Sequence, residues 1–205
     1  IPQSIRLGMH REAAVLLAAA GADAPSVAEQ FRRSARPGDR VAVDWLTRAS
    51  RRWADLAPTT SADLLEQAID LLPSDDAARA RLGVERAGRL MWAGRIREAE
   101  TLCRTFLYDE EPTIRGPAGS LLGRCLMADG HMGEAAAQLE LADETPGLSS
   151  ELRIAILTSA STAHLFAGRM RAARAAATRA RSLAESVDDK AAWSAVSKAQ
   201  ATIEL

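Results

Sequence analysis

The chain has 205 residues with 26 basic and 27 acidic side chains, a net charge of -1. It therefore has no overall basic excess from which to build a nucleic-acid surface. An apolar content of 47% excludes a disordered tail. An aromatic content of only 4%, with Ala leading the apolar residues, suits close-packed helices better than a β-sandwich. No stretch approaches the roughly 18 apolar residues of a membrane span; the apolar run over 13–22 is too short.

In chain order, the pattern over 5–20 predicts an amphipathic helix closed by Gly21, and 26–34 a second, shorter one. Arg36-Pro37-Gly38-Asp39 reads as a turn. Val41-Ala42-Val43 is too short for a strand and continues into a helical pattern through Trp45, Leu46, Ala49 and Trp53.

Beyond this point the chain repeats. Ala93-Gly94-Arg95-Ile96-Arg97-Glu98-Ala99, Asp129-Gly130-His131-Met132-Gly133-Glu134-Ala135 and Ala167-Gly168-Arg169-Met170-Arg171-Ala172-Ala173 share one pattern. The glycines are 36 and 38 residues apart. A weaker copy lies at Leu56-Ala57-Pro58-Thr59-Thr60-Ser61. The pattern reads as a helix hairpin: Gly takes positive φ and stops the first helix. The aliphatic residue two places on tucks under the turn. The Ala five places on lets two helices approach. Pro73 with Ser74-Asp75-Asp76, Glu111-Pro112, and Pro146-Gly147 with Ser149-Ser150-Glu151 separate the hairpins, and Asp188-Asp189 opens a last helix carrying Trp193.

The expected fold is all-α: a right-handed superhelical stack of antiparallel helix pairs. Residues 1–38 form a two-helix lead-in after an upstream module outside this stretch. Repeats follow at about 39–73, 74–111, 112–147 and 148–187, and a truncated helix at 188–205. Both ends read as cut, which makes the chain a segment of a longer cytoplasmic protein. The open face of the last helix implies a homodimer through that end.

Chemistry is absent from the pattern. No G-x-x-x-x-G-K-[ST] loop cradles a phosphate, and Lys190 and Lys198, the only lysines, lack that context. His10, His131 and His164 lie too far from either cysteine for a zinc site. No G-x-S-x-G elbow is present, and the acidic pairs sit at helix boundaries, where they suit helix N-termini. Cys103 and Cys125 read as buried reduced thiols. The arginine clusters, interleaved with acids, read as solvated helix faces. The expectation is a non-enzymatic segment with no cofactor or metal of its own and no direct nucleic-acid or membrane contact.

Trp45, Ala49, Ala68 and Pro73 resemble the packing positions of tetratricopeptide repeats, as do Ala87, Leu90, Ala99 and Phe106 in the next copy and Gly123, Leu126, Ala135, Leu139 and Ala142 in the one after. The periods exceed that family's usual 34. In such solenoids the first helices line a concave groove. That arrangement projects Trp53, Met91, Trp92, Arg124, Met127, Thr162 and Phe166 onto or near it. Packing between neighbouring pairs is the other role open to Trp53, Trp92 and Phe166.

A second resemblance is to large ATP-binding regulators of the LuxR family, frequent in actinobacteria. Its residues are Pro2, Arg6, Met9-His10-Arg11, Ala13-Ala14, Leu16-Leu17, Gly21-Ala22 and Val27-Ala28-Glu29, followed by Trp45-Leu46-Thr47-Arg48-Ala49-Ser50 and on to Leu71. It implies a regulatory repeat region of a signal-transducing ATPase, binding a protein partner or small effector. ATP and DNA would be bound by flanking modules. The alternative is a free-standing tetratricopeptide-type scaffold.

Overall fold

The computed structural model describes residues 2–187, which are helical wherever they are regular. The order is α1 (Gln3–Ala19), α2 (Ala24–Ser34), α3 (Arg40–Trp53), α4 (Pro58–Leu71), α5 (Ala78–Trp92), α6 (Ile96–Thr105), α7 (Pro112–Ala128), α8 (Met132–Asp143), α9 (Ser150–Phe166) and α10 (Met170–Ser186). The expected last helix, with Trp193, lies outside the described residues. Contacts divide the chain into two compact units, Ile1–Arg95 and Ile96–Leu205.

Helix starts follow local chemistry. Asp23 accepts a hydrogen bond from the Ser26 N–H, Asp39 from Ala42 and Ser149 from Leu152, each satisfying an orphan donor of the first turn. Pro58 and Pro112 open α4 and α7, where the missing N–H costs nothing. Asp76 accepts from the Ala78 N–H at the start of α5.

The three repeated glycines end their helices in the left-handed region, with φ of 76° at Gly94, 83° at Gly130 and 74° at Gly168. In each corner the residue after Gly donates to the carbonyl five places back: Arg95 to Leu90, His131 to Leu126 and Arg169 to His164. This is the 6→1 bond of a Schellman cap, which needs a positive-φ residue. The weak copy at 56–61 does not share it. That corner has no positive-φ residue; the Ala57 N–H instead bonds to Trp53 O, and Pro58 starts α4. The small residue five places on is fully buried in all three copies, at Ala99, Ala135 and Ala173. The tucked aliphatic residue holds less well: Ile96 and Met132 are half-buried, but Met170 is exposed, because the residues around it on α10 are mostly Ala and Arg.

In the first unit α1 packs on α2, α3 on α4 and α4 on α5. The lead-in helices share a core with the first repeat: Ala14, Val27, Phe31 and Ala42 bury one another, with Trp45 and Leu71 against them. A second cluster joins Leu46, Leu64, Leu65 and Leu82 of α3, α4 and α5. Ser50 and Ser61 form a fully buried polar pair between α3 and α4, with hydroxyls 2.8 Å apart. In the second unit α6 packs on α7, α7 on α8, α8 on α9 and α9 on α10.

An arginine strap recurs with the glycines. Arg79, Arg115 and Arg153 each stand fifteen residues before a corner glycine. Arg79 donates to the carbonyls of Ile69 and Leu72, Arg115 to those of Asp109 and Glu110, and Arg153 to that of Thr145. Each guanidinium thus binds backbone carbonyls where one pair ends and the next begins, although Ile69 O also accepts the Leu72 N–H. Arg79→Leu is expected to destabilise the chain by about 1.5–2 kcal/mol, the usual worth of hydrogen bonds from a charged donor. Urea denaturation checks this; an unchanged midpoint would mean water serves those carbonyls as well.

Candidate functional site

Trp53, Met91 and Trp92 lie in the first unit, and Arg124, Met127, Thr162 and Phe166 in the second. Trp53 is half-buried against the core of α3 and α4. Met91, Arg124, Met127 and Thr162 are also half-buried, and the Thr162 hydroxyl donates to Thr158 O in its own helix. Desolvation pushes the Arg124 guanidinium below its ordinary value. In the second unit Arg124 and Met127 sit on α7, and Thr162 and Phe166 on α9, two first helices that touch.

Trp92 and Phe166 behave differently from the rest. Each stands two residues before its corner glycine, and they are 67% and 64% exposed. A side chain wedged between helix pairs would be buried. These two place large aromatic surface in solvent at the same point of the repeat.

One concavity was not among the sequence expectations. It is a cleft of ≈ 250 Å³ in the first unit, walled by the α1–α2 corner on one side and α3 on the other. Trp45, Arg48, Ala49, Arg52 and Trp53 supply the α3 wall. Their spacings of three and four residues put all five on one helix face. That spacing is the available signal, but from sequence Trp45 reads as a packing residue, Trp53 as lying on a groove of first helices, and Arg52 as part of a solvated pair. Asp23 stands on the opposite wall, its carboxyl held below the ordinary range first by the backbone hydrogen bond from Ser26.

Cys103 and Cys125 are both free and fully buried, on α6 and α7. Their thiols are hydrogen-bonded. Cys103 is pushed well above the usual thiol range, first by that bond and then by burial, while Cys125, which accepts it, is lowered. His164 is buried, with Nε2 2.9 Å from Glu140 Oε1, and His131 is exposed in its corner. Among the described residues no group of three or more His, Cys, Asp or Glu could hold a metal. No helix there is long and apolar enough to cross a membrane. Nothing in the geometry of the described residues presents a catalytic site.

No protein-family model matches the chain, and no curated protein matches it. Solved structures do. Nearly identical TPR-like repeats from Podosopora anserina, named as those of a kinesin light chain, superpose with a TM-score of 0.59 at 21% identity, covering 90% of this chain and 98% of theirs. A variant form of the same repeats gives 0.60 at 21%, covering 89% and 96%. The apo form of RapI gives 0.67 at 13%, covering 90% of this chain and 72% of RapI. The chain has a tetratricopeptide-like helical-repeat fold. At these identities the likeness concerns the fold, which agrees with the helix pairs and glycine corners above.

Proposed function

We propose that this chain is a partner-binding repeat module serving as the regulatory segment of a LuxR-type ATP-dependent transcription regulator. The observation that carries the binding reading is the repeat-equivalent exposure of Trp92 and Phe166. Large aromatic side chains left in solvent at matching positions are contact residues in waiting, since aromatics dominate interface energetics. The partner is a protein. Exposed aromatic side chains of this kind suit the face of a protein partner rather than an enclosed pocket.

The regulator assignment rests on the resemblance carried by residues 2–31 and 45–71. The complete reading frame tests it: a phosphate loop upstream and a helix-turn-helix downstream are expected. A frame lacking both leaves a free-standing tetratricopeptide-type scaffold, the second reading, which the fold likeness favours equally. The protein-partner assignment has its own test. A thermal-shift screen against small effectors, nucleotides included, is expected to leave the melting temperature unchanged. A reproducible rise with one compound class would make the module a small-effector sensor, because a ligand that binds only the folded state stabilises it by mass action.

A further inference from the structure

We infer that the cleft between the α1–α2 corner and α3 is a peptide-anchoring site for a partner segment in which a bulky apolar residue lies beside a carboxylate. The inference rests on the binding-module reading and names the ligand chemistry of one site within it.

The apolar half of the argument is the wall. Trp45 is held by Phe31, with ring centroids 5.5 Å apart, and Trp53 packs against the α3–α4 core. Both indoles are only partly buried, and both line the cleft. Ala49 between them keeps the wall open. Rings fixed from behind and open in front give contact area at little cost in conformational entropy.

The charged half is the rim. Arg48 and Arg52, one turn apart, are both exposed, and neither is in an ion pair among the described residues. Arg51 between them pairs with Glu85, Arg40 with Asp76 and Arg86 with Glu66. Arg48 and Arg52 thus place two guanidinium groups without an ion pair beside the two indoles of the cleft. Asp23 is the one carboxylate on the lining, and it is engaged with the first turn of α2. The cleft therefore keeps a net positive charge, complementary to an acidic ligand. An Arg fork donates two parallel N–H hydrogen bonds to a carboxylate.

The size fits the anchoring side chain of a peptide. The volume of ≈ 250 Å³ suits one large side chain, with the carboxylate left at the arginine rim and the peptide backbone continuing outside.

The test is selection of a phage-displayed random dodecapeptide library on the whole chain, with affinities of selected peptides measured by fluorescence polarisation. Enriched peptides are expected to carry Leu, Ile, Phe or Trp within two positions of Asp or Glu. Arg48→Ala with Arg52→Ala should keep the thermal midpoint, since both side chains are exposed, and bind those peptides about tenfold or more weakly. Changing the peptide acid to its amide should cost a similar factor. Tyr108→Ala, at a residue 92% exposed and outside the cleft, should leave this affinity unchanged. Enriched peptides without an acid, or ones indifferent to the arginine variant, would overturn the site while leaving the binding-module reading intact. No enrichment on the wild-type chain would overturn both. Displacement of the peptide by an aromatic acid such as phenylacetate at equal affinity would overturn the peptide in favour of a small organic acid.

Discussion

Gly123→Val should strongly destabilise the second unit, lowering stability by about 3 kcal/mol in urea denaturation. A Cβ at position 123 would stand 2.5 Å from Leu139 Cγ and 2.7 Å from its Cδ2. Leu139 is fully buried, and Cγ is the branch point of its side chain, so it has no room to swing away. Valine adds two further carbons and a stiff χ1. The repeat itself supplies a rescue. Gly123 stands seven residues before its corner glycine, as Ser161 does in the next pair; the partner position of Leu139 is there Ala177. Small faces large in one pair, and the sizes are exchanged in the other. Gly123→Ser alone should destabilise by about 1–3 kcal/mol, and Leu139→Ala alone by about 2–5 kcal/mol. Together they should cost at least about 1 kcal/mol less than the sum, because contacting residues couple. A strictly additive double variant would mean that α7 and α8 do not approach as closely as the glycine implies.

Phe31→Ala should cost the first unit about 3–5 kcal/mol, the usual loss for deleting a buried aromatic ring. Phe31 is 2% exposed and sits where α1, α2 and α3 meet. Its ring packs on Trp45, and the Arg11 guanidinium lies 5.3 Å from its centroid. Arg11 also pairs with Asp39, the residue that caps α3. Removing the ring leaves a cavity and frees Arg11 from one of its two anchors. Trp45 would lose the support that fixes it as a cleft wall, so peptide affinity should fall along with stability. Phe31→Leu, which keeps much of the volume, should cost less than half as much. Equal urea midpoints for Phe31→Ala and wild type would show that the lead-in helices do not contribute to the unit's core.

The helix-pair architecture was legible because it depends on local rules. Gly94, Gly130 and Gly168 mark corners because only a residue free of Cβ enters the left-handed region cheaply, and Ala99, Ala135 and Ala173 follow at a fixed distance. Ser149 caps α9 through the N–H three residues on, so spacing along the chain was enough there. The corner at 56–61 was misjudged for the same reason in reverse. Proline and a short turn can join two helices without glycine, and that leaves no repeated mark.

The sequence by itself determined the all-helical class, the position of three corners and the absence of a phosphate loop or metal-ligand spacing. Tertiary structure alone decided which aromatic residues face solvent. Trp53 and Trp92 both read as groove or packing residues, and only the neighbours brought by other helices leave one half-buried and the other largely exposed. It also decided that Arg48 and Arg52 go unmatched while Arg51 finds Glu85, 34 residues away. Local rules act over a turn or two of helix, whereas pairing of charge and closure of a cleft depend on which distant helices come together. No spacing along one chain records that.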